Sequence, residues 1–150
     1  MEYRHTQIGW TMIVILGGGS AFLAWAAART GGPASAAVLA VVVLLLVILI
    51  LFVSLTVTVD DERVELRMGP GPIRRRIPLS DVLQVERMKL PWWAVGYGVR
   101  MSLNGKRQLW RVSGSNAVNL QLSGERLLLI TSDEPDALAA VLRAAIEATR

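Results

Sequence analysis

Arg74, Arg75 and Arg76 stand in a row between Ile73 and Ile77. Strand alternation sends Arg74 and Arg76 to one face and Arg75, with the isoleucines, to the other. A guanidinium binds phosphate through two parallel hydrogen bonds, and beside an anionic leaflet each basic residue is worth about 1 kcal/mol. Arg87 and Lys89 come next, just ahead of Pro91-Trp92-Trp93. Adjacent indoles in a turn do not both enter a small core easily, and Trp favours the headgroup level, where one edge is wet and the other apolar. Arg74, Arg76, Arg87, Lys89, Trp92 and Trp93 are therefore the candidate lipid-headgroup site. The bland reading is that the arginines only fix topology or solvate a strand, with one indole in the core and the other over the mouth of the domain. Arg100, Arg107 and Arg111 share a second face, a candidate surface for a protein partner or a second copy.

Other chemistry is poorly supplied. The chain of 150 residues has no Cys and one His, His5. Thiol nucleophiles, disulfides, Cys- or His-based zinc sites and Ser-His-Asp triads therefore lack their parts. Asp60-Asp61-Glu62 reads as an acidic hairpin turn, because no further group at a suitable spacing completes a metal or acid-base site. Gly96-x-Gly98 lacks the third glycine and the following helix of a dinucleotide fingerprint. The expectation is no metal, no cofactor and no enzymatic activity. From Ile73 to Arg111 nine basic residues face two acids. Anionic lipid is a nearer polyanion than nucleic acid for a tethered domain, so no nucleic-acid partner is expected.

The tether is the stretch that positions all of these groups. Ala36–Leu55 carries no charge, Pro or Gly, and its roughly 20 residues at about 1.5 Å each cross a hydrocarbon core of about 30 Å. Trp10–Ala28 is a second uncharged run with an indole near each end. The reading is a transmembrane helical hairpin over residues 1–56, with spans at about 10–28 and 36–55 and a tight turn at Arg29–Pro33. Gly17, Ala21, Ala24 and Ala28 form a small-residue stripe expected to meet Ala36, Ala37 and Ala40. A rival reading makes the first run a cleaved signal peptide, ending near Ala24-Trp25-Ala26 or Ala26-Ala27-Ala28. Arg63, Arg67, Arg74, Arg75 and Arg76 follow the second span, against Arg29 alone in the turn. This bias expects both termini, and the domain, in the cytoplasm of a multi-pass plasma-membrane protein.

From residue 57 to residue 150 the pattern changes to period-two alternation broken by turn residues, the mark of short antiparallel strands. Strands are expected at Thr56–Val59, Arg63–Met68, Ile73–Pro78 and Val82–Met88. Val57, Val59, Val64, Leu66 and Met68 point inward. Asn104-Gly105 sets a hairpin with Val99 opposite Trp110, placing Tyr97, Val99, Met101, Leu103, Trp110 and Val112 on one face. A last hairpin turns at Ser123-Gly124, joining Val118, Leu120 and Leu122 to Leu127 and Leu129. Asp133-Glu134-Pro135-Asp136 then opens an amphipathic helix with a stripe of Leu138, Val141, Leu142, Ala145 and Ile146.

Strands followed by one capping helix, directly after two spans, resemble the bacterial pleckstrin-homology-like (PH-like) membrane proteins. The residues that carry the likeness are Gly96-Tyr97-Gly98-Val99-Arg100, Val112-Ser113-Gly114 with Ala117-Val118-Asn119-Leu120, and Leu129 to Pro135 ahead of Leu138. The resemblance implies an α+β membrane protein: a transmembrane hairpin, then a PH-like antiparallel β-barrel or sandwich capped by a C-terminal helix, without enzymatic activity. Eukaryotic relatives hold phosphoinositides in a basic loop between the first two strands. Here that loop is Asp60-Asp61-Glu62, so that site does not carry over. The functional expectation is a membrane-anchored module contacting anionic headgroups at the inner leaflet. The alternative is an interaction or assembly subunit of a membrane complex.

Overall fold

The computed structural model describes residues 2–90 and 96–150. The described residues form a four-stranded sheet, a five-stranded sheet, two long apolar helices near the N-terminus and one C-terminal helix. The first sheet has the order β1-β2-β3-β4, where β1 is Tyr3–Ile8, β2 Ser54–Val59, β3 Arg63–Met68 and β4 Ile73–Pro78. Between β1 and β2 the chain makes α1, Trp10–Thr30, and α2, Pro33–Phe52. Both are long and apolar enough to cross a membrane. Their apolar side chains face outward, with Val14 70% and Phe22 64% exposed.

The helices join through Gly31 and Gly32, both at positive φ, with Pro33 opening α2. Residues Ile13–Gly17 of α1 form a π-helical turn just before Gly18 and Gly19. The contact face of α1 holds Ser20 and Ala27, both buried, and Gly17, whose added Cβ would lie 3.9 Å from Leu49. On α2 the buried residue is Val42. The expected stripe is therefore rotated: Ala21, Ala28, Ala36, Ala37 and Ala40 are exposed. In a continuous apolar helix nothing polar marks the buried face, so small residues alone gave the wrong phase.

In the β2–β3 hairpin Val59 pairs Val64 and Val57 pairs Leu66. The five predicted inward residues are all buried. Alternation fixes such a hairpin because slipping by one residue would turn its whole apolar set outward. β1 pairs β2 along its length, from Tyr3 opposite Val59 to Ile8 opposite Ser54, so segments on both sides of the helices build one sheet.

The second sheet has the order β5-β8-β9-β7-β6, with β5 Val82–Lys89, β6 Gly98–Met101, β7 Arg107–Arg111, β8 Asn116–Leu122 and β9 Arg126–Thr131. Val99 does face Trp110. Three expectations change here. β7 runs parallel to β9, so the strands are not all antiparallel, and the two sheets do not close into a barrel. The last hairpin turns over three residues, Leu122 pairing Arg126, with Gly124 and Glu125 both at positive φ. That extra residue reverses the faces of β9: Leu128 and Ile130 enter the core while Leu127 and Leu129 are half-buried. Met101 and Leu103 are exposed rather than core, because the β6–β7 hairpin continues beyond the last core layer at Gln108.

The C-terminal helix α3, Pro135–Thr149, buries Leu138, Ala139, Leu142 and Ile146. These join Leu55, Leu66 and Met68 of the first sheet and Leu120, Leu128 and Ile130 of the second in one core. Arg143 Nη2 donates to the Val85 carbonyl at 3.2 Å and Arg150 Nη2 to that of Leu83 at 3.1 Å, seating α3 along β5.

Candidate functional site

The roots of both helices meet at one end of the two-sheet body. Gly9 N donates to Val53 O at 2.6 Å, and Gly69 N to Ser54 O at 2.8 Å. Two glycines make the seat possible. A Cβ at Gly9 would fall 2.8 Å from Val112 Cγ1, and one at Gly69, where φ is +58°, would fall 2.4 Å from Leu51 O. The opposite end carries the acidic turn, where Asp60 N donates to Arg63 O at 2.9 Å.

Side chains on the outer face of the first sheet lie in rows that cross its strands. Farthest from the helices, Arg63 lies opposite Pro78, with Asp60 3.8 Å from Arg63. The next row is Arg4, Thr58, Glu65 and Arg76. Then come Thr6, Thr56, Arg67 and Arg74. Last are Ile8 and Ser54, at the helix roots. Rows on one face recur about every 6.6 Å. The headgroup layer on each side of a bilayer is about 5–7 Å deep. Of the charged rows, only the one holding Arg67 and Arg74 lies within that depth of the roots.

The four predicted site residues that the structure describes fall on two different sheets. Arg74 and Arg76 are exposed on β4, but Arg76 Nε is 2.7 Å from Glu65 Oε2. This contact, together with the charges of Arg76, Arg74 and Arg63, holds the Glu65 carboxyl below the usual carboxylate range against a smaller opposing effect of burial. Arg75 points inward as alternation requires, and donates to Gln108 Oε1 across the gap between the sheets. Burial first, and Arg126 second, lower its pKa. Arg87 and Lys89 are on β5, in the second sheet, where Arg87 pairs with Asp136 at the start of α3. Together with Asn116 and Pro135 they line a cleft of about 330 Å³. Trp92 and Trp93 lie outside the described residues. Of the second basic face, Arg100 and Arg107 are exposed, whereas Arg111 is buried, its Cζ 5.3 Å from the Tyr97 ring centre and its Nε donating to Gly114 O at 3.1 Å.

Two participants escaped the sequence reading. Arg67 enters the sequence analysis only in the arginine count after the second span, and its place opposite Arg74 depends on the β3–β4 register. His5 Nε2 donates to Asp133 Oδ1 at 2.6 Å, fastening β1 to the entry of α3. Nothing local to His5 announces a partner 128 positions away. Among the described residues no group of three or more His, Asp or Glu could hold a metal ion. No family model and no curated protein matches the chain.

Proposed function

We propose that the protein is a non-enzymatic, membrane-anchored module that holds its two-sheet body against the anionic inner leaflet. Arg74 and Lys89 would face headgroups, and Trp92 and Trp93 enter on sequence grounds. One observation carries this reading. Both apolar helices leave the same end of the body, and the charged row nearest that end contains arginine and threonine without a carboxylate. Trp10, Phe22 and Trp25 of α1 and Val43, Leu44 and Ile50 of α2 are all more than half exposed, and apolar surface of that kind marks contact with a membrane or another protein. The arginine excess after α2 favours a cytoplasmic body. The PH-like reading of that body is supported by strands in two sheets followed by one helix across the core, while the parallel β7–β9 pair departs from it.

The absence of Cys makes single-cysteine mapping clean. In intact cells Thr30→Cys should react with a membrane-impermeant maleimide, and Ser123→Cys only after permeabilisation. The reverse pattern would overturn the orientation. Binding of the body to anionic surfaces should weaken as salt rises, and Trp92→Ala with Trp93→Ala should weaken it further.

A second reading, an assembly subunit, is favoured by the tip of the β6–β7 hairpin, where Met101 is 61% exposed and Leu103 fully so. Among the described residues no strand pairs with the outer edge of β6 beside it. Crosslinking in native membranes should then trap a specific partner or a second copy through this tip; a monomer throughout would exclude it.

A further inference from the structure

Resting on the membrane-anchored reading, we propose that Arg67 and Arg74, with the Thr6 hydroxyl in the same row, form a clamp for the phosphate of a phosphomonoester lipid headgroup. The two arginines are direct cross-strand partners on the outer face. Like charges in that position repel unless something anionic lies between them. No carboxylate shares their row, and among the described residues neither guanidinium has a hydrogen-bonded or ion-paired partner. Glu2, Asp60 and Glu65 line a cleft with Arg67 from the rows farther from the helices, but Asp60 pairs with Arg63, and Glu65 is engaged by Arg76 at 2.7 Å and acts on Arg74 only through space.

The site is also partly built. Arg67 is half-buried, and a side chain at Gly71 would start 3.4 Å from Arg67 Cδ, so the stem of Arg67 lies along the turn that leads to β4. Thr6 and Thr56 hydroxyls are 2.9 Å apart, which leaves Thr6, on the exposed side, with hydrogen-bonding capacity to spare. Charge selects the ligand class. A phosphomonoester carries about −1.5 to −2 at pH 7, matching two guanidiniums, whereas a diester carries a single charge.

The test is native mass spectrometry of the full-length chain in detergent, titrated with phosphatidate, phosphatidylglycerol, phosphatidylcholine and inorganic phosphate. Wild type should prefer phosphatidate over phosphatidylglycerol by about tenfold, the worth of one charge-assisted hydrogen bond. Arg67→Gln with Arg74→Gln should lose that preference. Arg63→Gln with Lys106→Gln, an equal loss of charge at the far end, should keep it. Arg67→Lys with Arg74→Lys retains the charges without the bidentate fork and should keep only part of it. Equal binding of the two anionic lipids by wild type, or an unchanged preference in either Arg67/Arg74 variant, would overturn the clamp. Inorganic phosphate binding as tightly as phosphatidate would overturn the lipid source. Failure to prefer any anionic lipid over phosphatidylcholine would sink the broader membrane-contact reading as well; anionic preference without phosphomonoester preference would sink the clamp alone.

Discussion

Glu65 and Tyr3 sit on opposite faces of the first sheet and respond to pH with opposite signs. The Glu65 carboxyl is held low, chiefly by the hydrogen bond from Arg76. Its contribution to stability is therefore present above the ordinary glutamate pKa and disappears as pH falls through the folded value. Glu65→Gln should lower the thermal midpoint at pH 7, and the difference from wild type should shrink as pH falls below the ordinary glutamate range, a convergence readable by circular dichroism. Tyr3 is raised, first by burial, then by the charges of Glu134 and Asp133. Its native state favours the protonated phenol, so stability is retained up to about pH 10 and declines above it. The Tyr3 hydroxyl is buried and has no hydrogen-bond partner among the described residues. Tyr3→Phe should accordingly be neutral or stabilising at pH 7 and should flatten the alkaline decline.

At the scale of elements, the buried seam between α1 and α2 leaves no space at Ala27, which is 4% exposed. Ala27→Leu should overpack that seam and cost about 1–3 kcal/mol, seen as a lower melting point in detergent. Ala28→Leu, on the exposed side of α1, should be neutral. An exchange of these two outcomes would restore the stripe expected from small-residue spacing. Strands β2, β3 and β4 were legible because their inner faces are apolar at every second residue, except at Arg75. β1 was not, since its inward positions are Tyr3, His5 and Gln7, which write no hydrophobic alternation. On β5, a bulge between Val82 and Gln84 moves Leu83 to the surface. The parallel β7–β9 pairing was equally hidden, because alternation reports faces and not neighbours. Of the candidate site, residue types were readable, but that Arg67 faces Arg74 depends on the β3–β4 register, and that Thr6 joins their row depends on pairing between segments far apart in the chain.

For the whole molecule, the two-helix segment enters and leaves through one cross-strand pair, Ile8 and Ser54. Such a pair is the geometry that a two-residue turn closes. Replacing residues 9–53 by Asn-Gly should therefore yield a folded body that stays in aqueous buffer without detergent and elutes as a monomer. An aggregated or unfolded product would show that the helices contribute to the body's core rather than only anchoring it. A chain that merely begins at Val57 would lack β1 and half of β2, so it should fare worse than the turn replacement.

If the two helices span the bilayer as proposed, their place between β1 and β2 has a consequence for biogenesis. A ribosome delivers Tyr3–Ile8 first, but the strand it must pair with emerges only after both hydrophobic passes have been made. The leading strand would then wait, unpaired, while the bilayer takes up the intervening helices, and that uptake would bring the segment's two ends together. Insertion would then be the step that licenses folding of the body, and a peptidase cut within α1 would carry away the β1 edge of the first sheet.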